Sequence, residues 1–354
     1  MFLKKYLSIL GIFILIFVLI NPALIAHPGR TDKYGCHTCK TNCEKWGLKY
    51  GEYHCHNGSS SSSSSGTTKS DTKATTNNTT ENKSNNSNTT YEKAIPIKKG
   101  ELNIFFLNVE QGDATFIYTP KGNTILIDGA KKEKGETIVK YLNDLGIKSL
   151  DVVVATHPDA DHIGGLIQVI KKMDVKAVYA PKVSHTSDTY KDFLQAVKDK
   201  GLKIKTAKSD VLLDLEGIEA KFVGPVKEYD SKDLNDWSAV LHLKYKETSF
   251  LFTGDAESKS ENDMINGKQT LEANVLKVGH HGAKTSTSKT FLNAVNPQYA
   301  VISVGKNDYG HPTDEVLKAL KDAKVTVYRT DENGTVVATS DGKKITFKVT
   351  KEKK

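Results

Sequence analysis

Arginine is almost missing from this 354-residue chain: Arg30 and Arg329 are the only two among 50 lysines and arginines. Lysine is a compact point charge without the planar fork that grips phosphate or guanine through two parallel hydrogen bonds. Bidentate recognition of nucleic acid is therefore nearly excluded, and the formal net charge of +8 does not restore it. From Ile97 onward, 39 lysines and arginines face 36 aspartates and glutamates, which leaves only +3 for that stretch. That is a weak electrostatic footprint for a nucleic-acid binder. Long apolar runs are just as scarce. One exists, within residues 1–26, and no other segment could span a bilayer. Cysteine is absent outside residues 36–55, so disulfide chemistry is confined to one short segment.

What is present divides the chain. Residues 1–26 read as a basic stretch, "MFLKKY", then the apolar run "LSILGIFILIFVLI", then Pro22 and the small residues Ala23 and Ala26. This is the pattern of a secretory signal peptide, the other reading being an uncleaved membrane anchor. Residues 27–56 hold all four cysteines with His37, His54 and His56 nearby, and the ending "YHCH" resembles YHYH-type segments. Two disulfides or a metal site would each hold so small a module together. Residues 57–95 are Ser, Thr and Asn with scattered charge, including seven serines at 59–65. Such a linker cannot bury enough apolar surface to fold, and as a coil it spans about 35 Å.

Residues 96–354 alternate apolar runs with helical patterns. "LNIFFLNV", "ATFIYT", "NTILIDG" and "LDVVVAT" predict strands, as do "SAVLHLKYKETSFLFTGD" (two, turning at Glu247 and Thr248), "NVLKVGHHG" and "YAVISVG". "ETIVKYLNDLG" places Ile138, Tyr141, Leu142 and Leu145 on one helical face and stops at Gly146. "IGGLIQVIKKM", "TYKDFLQAVKDKG" and "TDEVLKALKDA" also predict helices. Strands with interspersed helices in both halves imply an α/β layered domain with sheet in the middle.

Four of these strands end in clusters of His or Asp. "THPDADHIGG" supplies His157, Asp159, Asp161 and His162; "LFTGD" supplies Asp255; "KVGHHG" supplies His280 and His281; "VGKNDYGHP" supplies His311. Singly, each could be a capping aspartate or a solvated histidine, but together they form a metal-site pattern. H-x-D-x-D-H-x-G-G, T-G-D, H-H-G and G-H-P resemble the metallo-β-lactamase superfamily, in particular the ComEC-like competence branch and its free-standing secreted relatives. "FFLNVEQGDATFI" and "TILIDGA" resemble that branch's opening strands, so the likeness covers about residues 100–350.

The resemblance implies an αββα sandwich and a hydrolase using two divalent metal ions, Mn or Zn. His157 and Asp159 would serve the first ion, Asp161, His162 and His281 the second, and Asp255 would bridge ions about 3.5–4 Å apart. Asp161, His280 and His311 are the catalytic candidates, the two histidines being free to stabilise an oxyanion or protonate a leaving group. Gly164 and Gly165 let the next helix start close under the loop, and Asp128 matches a position that braces it. Asp159 stands where the superfamily usually has a second histidine, an exchange the ComEC branch shares. The histidine usually found before the bridging aspartate has no counterpart, so either Asn235 or Asp236 stands in its place or the first ion is weakly held; His242, inside a strand, is expected to be structural. The implied substrate is a phosphodiester, with DNA among the candidates. Hydrolysis of another ester, such as a phosphocholine or lactone bond, is the alternative enzyme reading. A surface binding protein with a vestigial metal site, contacting cell wall or a partner through residues 27–56, is the reading from another class. Secretion, with or without attachment to the cell surface, follows from the leader.

Overall fold

The computed structural model describes residues 36–38, 53–55 and 94–352. The expected leader, most of the Cys/His module and the linker as far as residue 93 lie outside the described residues. Within the module, β1 (Cys36–Thr38) and β2 (Tyr53–Cys55) pair antiparallel, with Cys36 opposite Cys55 in the register. In the larger unit, Ala94 and Ile95, counted with the linker on sequence, already pack against the apolar core.

The first half of that unit runs β3 (Leu102–Phe106), β4 (Thr115–Tyr118), β5 (Thr124–Ile127), α1 (Gly135–Asp144), β6 (Ser149–Leu150) and β7 (Val152–Val154). It continues through α2 (Ala160–Ile163), α3 (Leu166–Lys172), β8 (Asp174–Val175), β9 (Val178–Ala180), α4 (Asp188–Asp199) and β10 (Ile204–Thr206). The second half contains β11 (Leu212–Leu213), β12 (Glu219–Phe222), β13 (Leu241–Tyr245), β14 (Thr248–Phe252), α5 (Ser258–Asn266) and β15 (Val275–Lys277). Then follow α6 (Lys289–Val295), β16 (Tyr299–Ile302), α7 (Asp314–Asp322), β17 (Thr326–Arg329), α8 (Thr330–Asn333), β18 (Val336–Ser340) and β19 (Ile345–Val349).

Two mixed sheets result, in the orders β10-β9-β7-β5-β4-β3-β18-β19 and β11-β12-β13-β14-β15-β16-β17, with β6 and β8 forming a small separate pair. Side-chain alternation along the strands sorts their apolar residues into layers. Leu102, Ile104 and Phe106 of β3 meet Leu241, Leu243, Phe250 and Phe252 of the other sheet in a central core. Phe105, Phe116, Leu126 and Val153 point the opposite way, onto Leu142, Leu166, Ile170 and Phe193 of the first helical layer. Leu251, Leu276, Ala300 and Ile302 do the same on the second sheet, against Met264, Phe291, Leu292 and Leu320. The αββα order expected from the resemblance is therefore present, and it rests on the alternation. Each fully buried phenylalanine contributes roughly 1.5–3 kcal/mol by burial. Among the described residues, no helix is long and apolar enough to cross a membrane.

Three local expectations need correction. The strand expected over 102–109 ends at Phe106, because the chain turns out of the sheet to carry Asp113 inward. The hairpin turn lies at Lys246 and Glu247, with Thr248 already in β14, since Lys246 takes the left-handed conformation at φ 55°. The helix expected from Ile163 is split into α2 and α3 around Gly164 and Gly165. A Cβ at Gly165 would lie 2.0 Å from the Gly129 carbonyl oxygen, and one at Gly164 would lie 2.5 Å from the Lys132 nitrogen. Both glycines thus let the metal-site segment lie directly on backbone.

Candidate metal centre

Parallel pairing runs from β10 through β5 in one sheet and from β14 through β17 in the other. The carboxyl ends of such strands are where open α/β sheets place ligands. Asp128 follows β5, His157 follows β7, Asp255 follows β14, His280 and His281 follow β15, and His311 follows β16. Topology alone therefore brings the scattered motifs to one end of the sandwich.

At that end Asp255 is the hub. Its Oδ2 lies 3.2 Å from His162 Nε2, 3.6 Å from His281 Nε2, 3.9 Å from His280 Nε2 and 4.0 Å from His157 Nε2. Asp159 Oδ2 is 3.5 Å from His157 Nε2, and Asp161 Oδ2 is 3.4 Å from His281 Nε2. Asp161 and His162 lie on the single turn α2, which follows the extended Asp159. His162 belongs to three ligand-like groups, one with His157 and Asp255, a second with Asp161 and His281, and a third with Asp113 and Asp128. The sequence reading gave it to the second alone.

Partners on the far side of each ring decide what the near side offers. His162 Nδ1 donates to Asp128 Oδ2 at 2.8 Å, and His281 Nδ1 donates to the Ser303 carbonyl at 2.8 Å. Thr156 Oγ1 gives its proton to Asp128 Oδ2 at 2.7 Å, so it can only accept from His157 Nδ1, 3.1 Å away. Each Nδ1 is thereby the nitrogen that keeps its proton, and each Nε2 faces the cluster, where a bound cation would displace any proton it carries. Asp128 also accepts from the Thr156 N–H at 2.8 Å while its own backbone sits at φ 58°. Its bracing position is thus occupied as expected.

The Nε2 atoms of His157, His162 and His281 and Oδ1 of Asp255 are buried without a hydrogen-bond partner. Orphaned imidazole nitrogens converging on carboxylates are costly unless a cation completes them. The donor set, imidazole and carboxylate with no thiolate, suits a divalent ion. The electrostatics agree in direction. Burial works against the charge on Asp255, but His162, His281 and His157 hold its carboxyl well below the usual range. Burial likewise works against protonation of His281, yet Asp255, Asp113 and Asp161 push it up to about 10.

Both residues expected to replace the missing histidine are engaged by other partners. Asp236 Oδ1 accepts from the Ser260 N–H at 3.1 Å, at the start of α5. Asn235 Nδ2 donates to Glu257 Oε1 at 3.1 Å. The short segment at 234–237 is thereby tied to α5 and Glu257. His242 is structural as expected, its Nε2 donating to the Glu272 carbonyl at 3.0 Å.

Several residues that sequence reasoning missed support the cluster. Glu257 Oε1 accepts from His280 Nδ1 at 2.9 Å, Thr285 Oγ1 at 2.8 Å and Asn235, which turns His280 Nε2 toward Asp255. His280 and His281 both take left-handed backbone, at φ 46° and 54°, a strain found where side-chain aim matters. Lys277 and Asp113 form a buried ion pair at 2.6 Å, and Asp113 Oδ1 lies 3.4 Å from His281 Nδ1. A lysine inside the apolar run "NVLKV" was the available signal. His311 is half-buried with its ring 5.3 Å from that of His280; burial, then the charges on His280 and His281, lower its pKa. A groove of about 500 Å³, lined by Asp159, Lys232, Asn235, Glu257 and Lys259 among others, opens beside these groups.

The bracing by Asp128 gives a measurable expectation. Asp128→Ala leaves His162 Nδ1 and the Thr156 N–H without their acceptor and should weaken divalent-metal affinity about 10- to 100-fold. Competition with a chromophoric chelator reads this directly, and unchanged affinity would remove Asp128 from the account.

Comparison with known proteins agrees with this geometry. The chain is 32% identical over 259 residues to ComE operon protein 3 of Bacillus subtilis (strain 168), a match covering 68% of this chain and 33% of that protein. It is 30% identical over 245 residues to competence protein ComA of Neisseria gonorrhoeae, covering 68% of this chain and 32% of that one. The chain thus spans about a third of the length of these curated relatives. The metallo-beta-lactamase fold protein YhfI from Bacillus subtilis superposes with a TM-score of 0.46 at 12% identity, over 68% of this chain and 100% of that one, and adds no weight at that score. The sequence model of the Metallo-beta-lactamase superfamily matches residues 107–306, more than half of the chain, and the chain belongs to that superfamily.

Proposed function

We propose that the chain is a secreted, metal-dependent phosphodiesterase that cleaves nucleic-acid or similar diester bonds with two divalent ions. The observation that carries this reading is the convergence of three unpartnered Nε2 atoms and Asp255 on one end of the sandwich. His157, Asp159 and Asp255 would hold the first ion, and Asp161, His162, His281 and Asp255 the second. When bound, such ions supply a lowered pKa for coordinated water and polarisation of a phosphoryl oxygen. The chain's own residues do the rest. His280, oriented by Glu257, would deliver a proton to the leaving oxygen from Nε2. His311 flanks it, and burial with the neighbouring histidine charges favours its neutral form. The names of the competence relatives support a DNA-related substrate, and residues 1–26 support secretion.

The test is turnover of bis-p-nitrophenyl phosphate by metal-loaded protein, with metal content measured in parallel. Bound metal with no diester turnover, but cleavage of a phosphocholine ester or a lactone, would select the other ester reading. Metal-free protein without turnover would select a binding role.

Metal choice follows from ligand hardness. Carboxylate oxygen suits manganese better than imidazole nitrogen does, and Asp159 puts oxygen where the superfamily usually has nitrogen. Apo-protein is expected to regain more turnover with Mn²⁺ than with Zn²⁺, although Zn²⁺ binds such sites more tightly. Asp159→His should move the preference toward Zn²⁺. Full recovery with Zn²⁺ alone, unaffected by that substitution, would refute the hardness argument.

A further inference from the structure

Among the described residues the exposed large apolar side chains are Leu194, Leu212 and Tyr309, and Tyr309 is the most open at 73%. An exposed aromatic ring on a loose loop would need no explanation. The loop carrying Tyr309 is instead built. Asn307 Nδ2 donates to the Gly305 and His311 carbonyls at 2.8 Å each, and its Oδ1 accepts from the Tyr309 and His311 N–H groups at 3.1 Å each. The root of the loop is fixed too, since Gly305 lies so close to the backbone of Glu110 that a Cβ would come within 2.4 Å of its carbonyl carbon. Thr313 closes the other end by capping α7.

This scaffold sets Tyr309 at the end of a row of rings. Its centroid lies 5.8 Å from that of His311, which lies 5.3 Å from that of His280, whose Nε2 reaches toward Asp255. A flat hydrophobic face is thus held in water beside the reacting groups. Among the described residues Arg329 is the one arginine, the other kind of side chain that stacks on planar groups, and it is engaged with Asp331 and Glu332.

We propose that Tyr309 is a specificity-determining residue that stacks on a nucleobase flanking the scissile bond, so that the substrate is single-stranded nucleic acid. This rests on the phosphodiesterase reading above. Stacking on an aromatic side chain is sequence-tolerant because every base offers a π-face. Bases must be unpaired for the ring to reach one, which favours single strands over duplex.

The experiment compares metal-loaded wild type with Tyr309→Ala and Tyr309→Phe on a single-stranded oligothymidylate and on the same oligomer with abasic sites flanking the cleaved linkage. Turnover is measured together with fluorescence-anisotropy binding of each labelled oligomer. Wild type should prefer the base-bearing oligomer by about tenfold in KM and Kd, the scale of one base–aromatic stack. Tyr309→Ala should bring that preference close to one, and Tyr309→Phe should keep it. An equal preference in wild type and Tyr309→Ala, or no preference in wild type, would overturn the proposal. Hydrolysis of bis-p-nitrophenyl phosphate separates the two readings: if it persists while base preference is absent, stacking fails and the phosphodiesterase stands. If no diester is cleaved but the base preference in binding disappears with Tyr309→Ala, the reverse holds.

Discussion

Asp255→Asn protein is expected to fold, to retain little divalent metal, and to lose diester hydrolysis by at least about a hundred- to a thousandfold, the cost of removing one strongly placed charge from a catalytic centre. The substitution keeps the side chain's shape but removes the negative charge that lies within 4.0 Å of four imidazoles. His162 and His281 then lose the largest influence holding them protonated, and they become neutral at lower pH. The fold should survive because Asp255 sits at the end of β14, outside the central core formed by Phe250 and Phe252. Elemental analysis of the purified variant, with turnover and a thermal melt, distinguishes the outcomes. Normal metal content with normal activity would remove Asp255 from the centre.

Gly165→Ala should be the most damaging of the small substitutions. The added methyl would meet the Gly129 carbonyl oxygen at 2.0 Å and the Gly135 Cα at 3.1 Å, both backbone. No rotamer change relieves such a clash. The start of α3 must move off the segment after β5, at a cost of about 3 kcal/mol for overpacking of this kind. That corresponds to a melting temperature lower by roughly 10 °C for a domain of this size. Displacing α3 also shifts α2, which carries Asp161 and His162, so metal affinity should fall with stability. Gly146→Ala is the control: nothing lies within 4 Å of a Cβ there, and only its φ of +80° is unfavourable, worth about 1–2 kcal/mol. Similar melts for the two variants would show that close approach at Gly165 is not limiting.

Alternation and strand-end residues made the central architecture readable in advance. Apolar runs located β3, β4, β5, β7, β13, β14, β15 and β16, and the metal cluster followed because its residues end those strands. What escaped were features that depend on distant pairing. β18 forms a ladder with β3, and Asn108 donates to Thr335 across 227 positions, a relation with no local signature. Asp236 looked available as a ligand, but the Ser260 N–H of α5 claims it. Glu257 lies only two residues beyond Asp255, yet its role depends on His280, Thr285 and Asn235 arriving from other segments. Lys277 stood out as a charge in an apolar strand, but its partner Asp113 is supplied by the loop between β3 and β4.

The pairing of β18 with β3 also governs the order in which the domain can be assembled. β3 leaves the ribosome long before its neighbour, which spans residues 336–340. Until that segment emerges, one side of β3 has unpaired backbone groups and the first sheet ends in an open edge. Such edges invite pairing with other chains, and contacts this remote in sequence form slowly. The first sheet therefore cannot close until residues 336–340 have been made, and partly paired strands are exposed to misassembly during that interval.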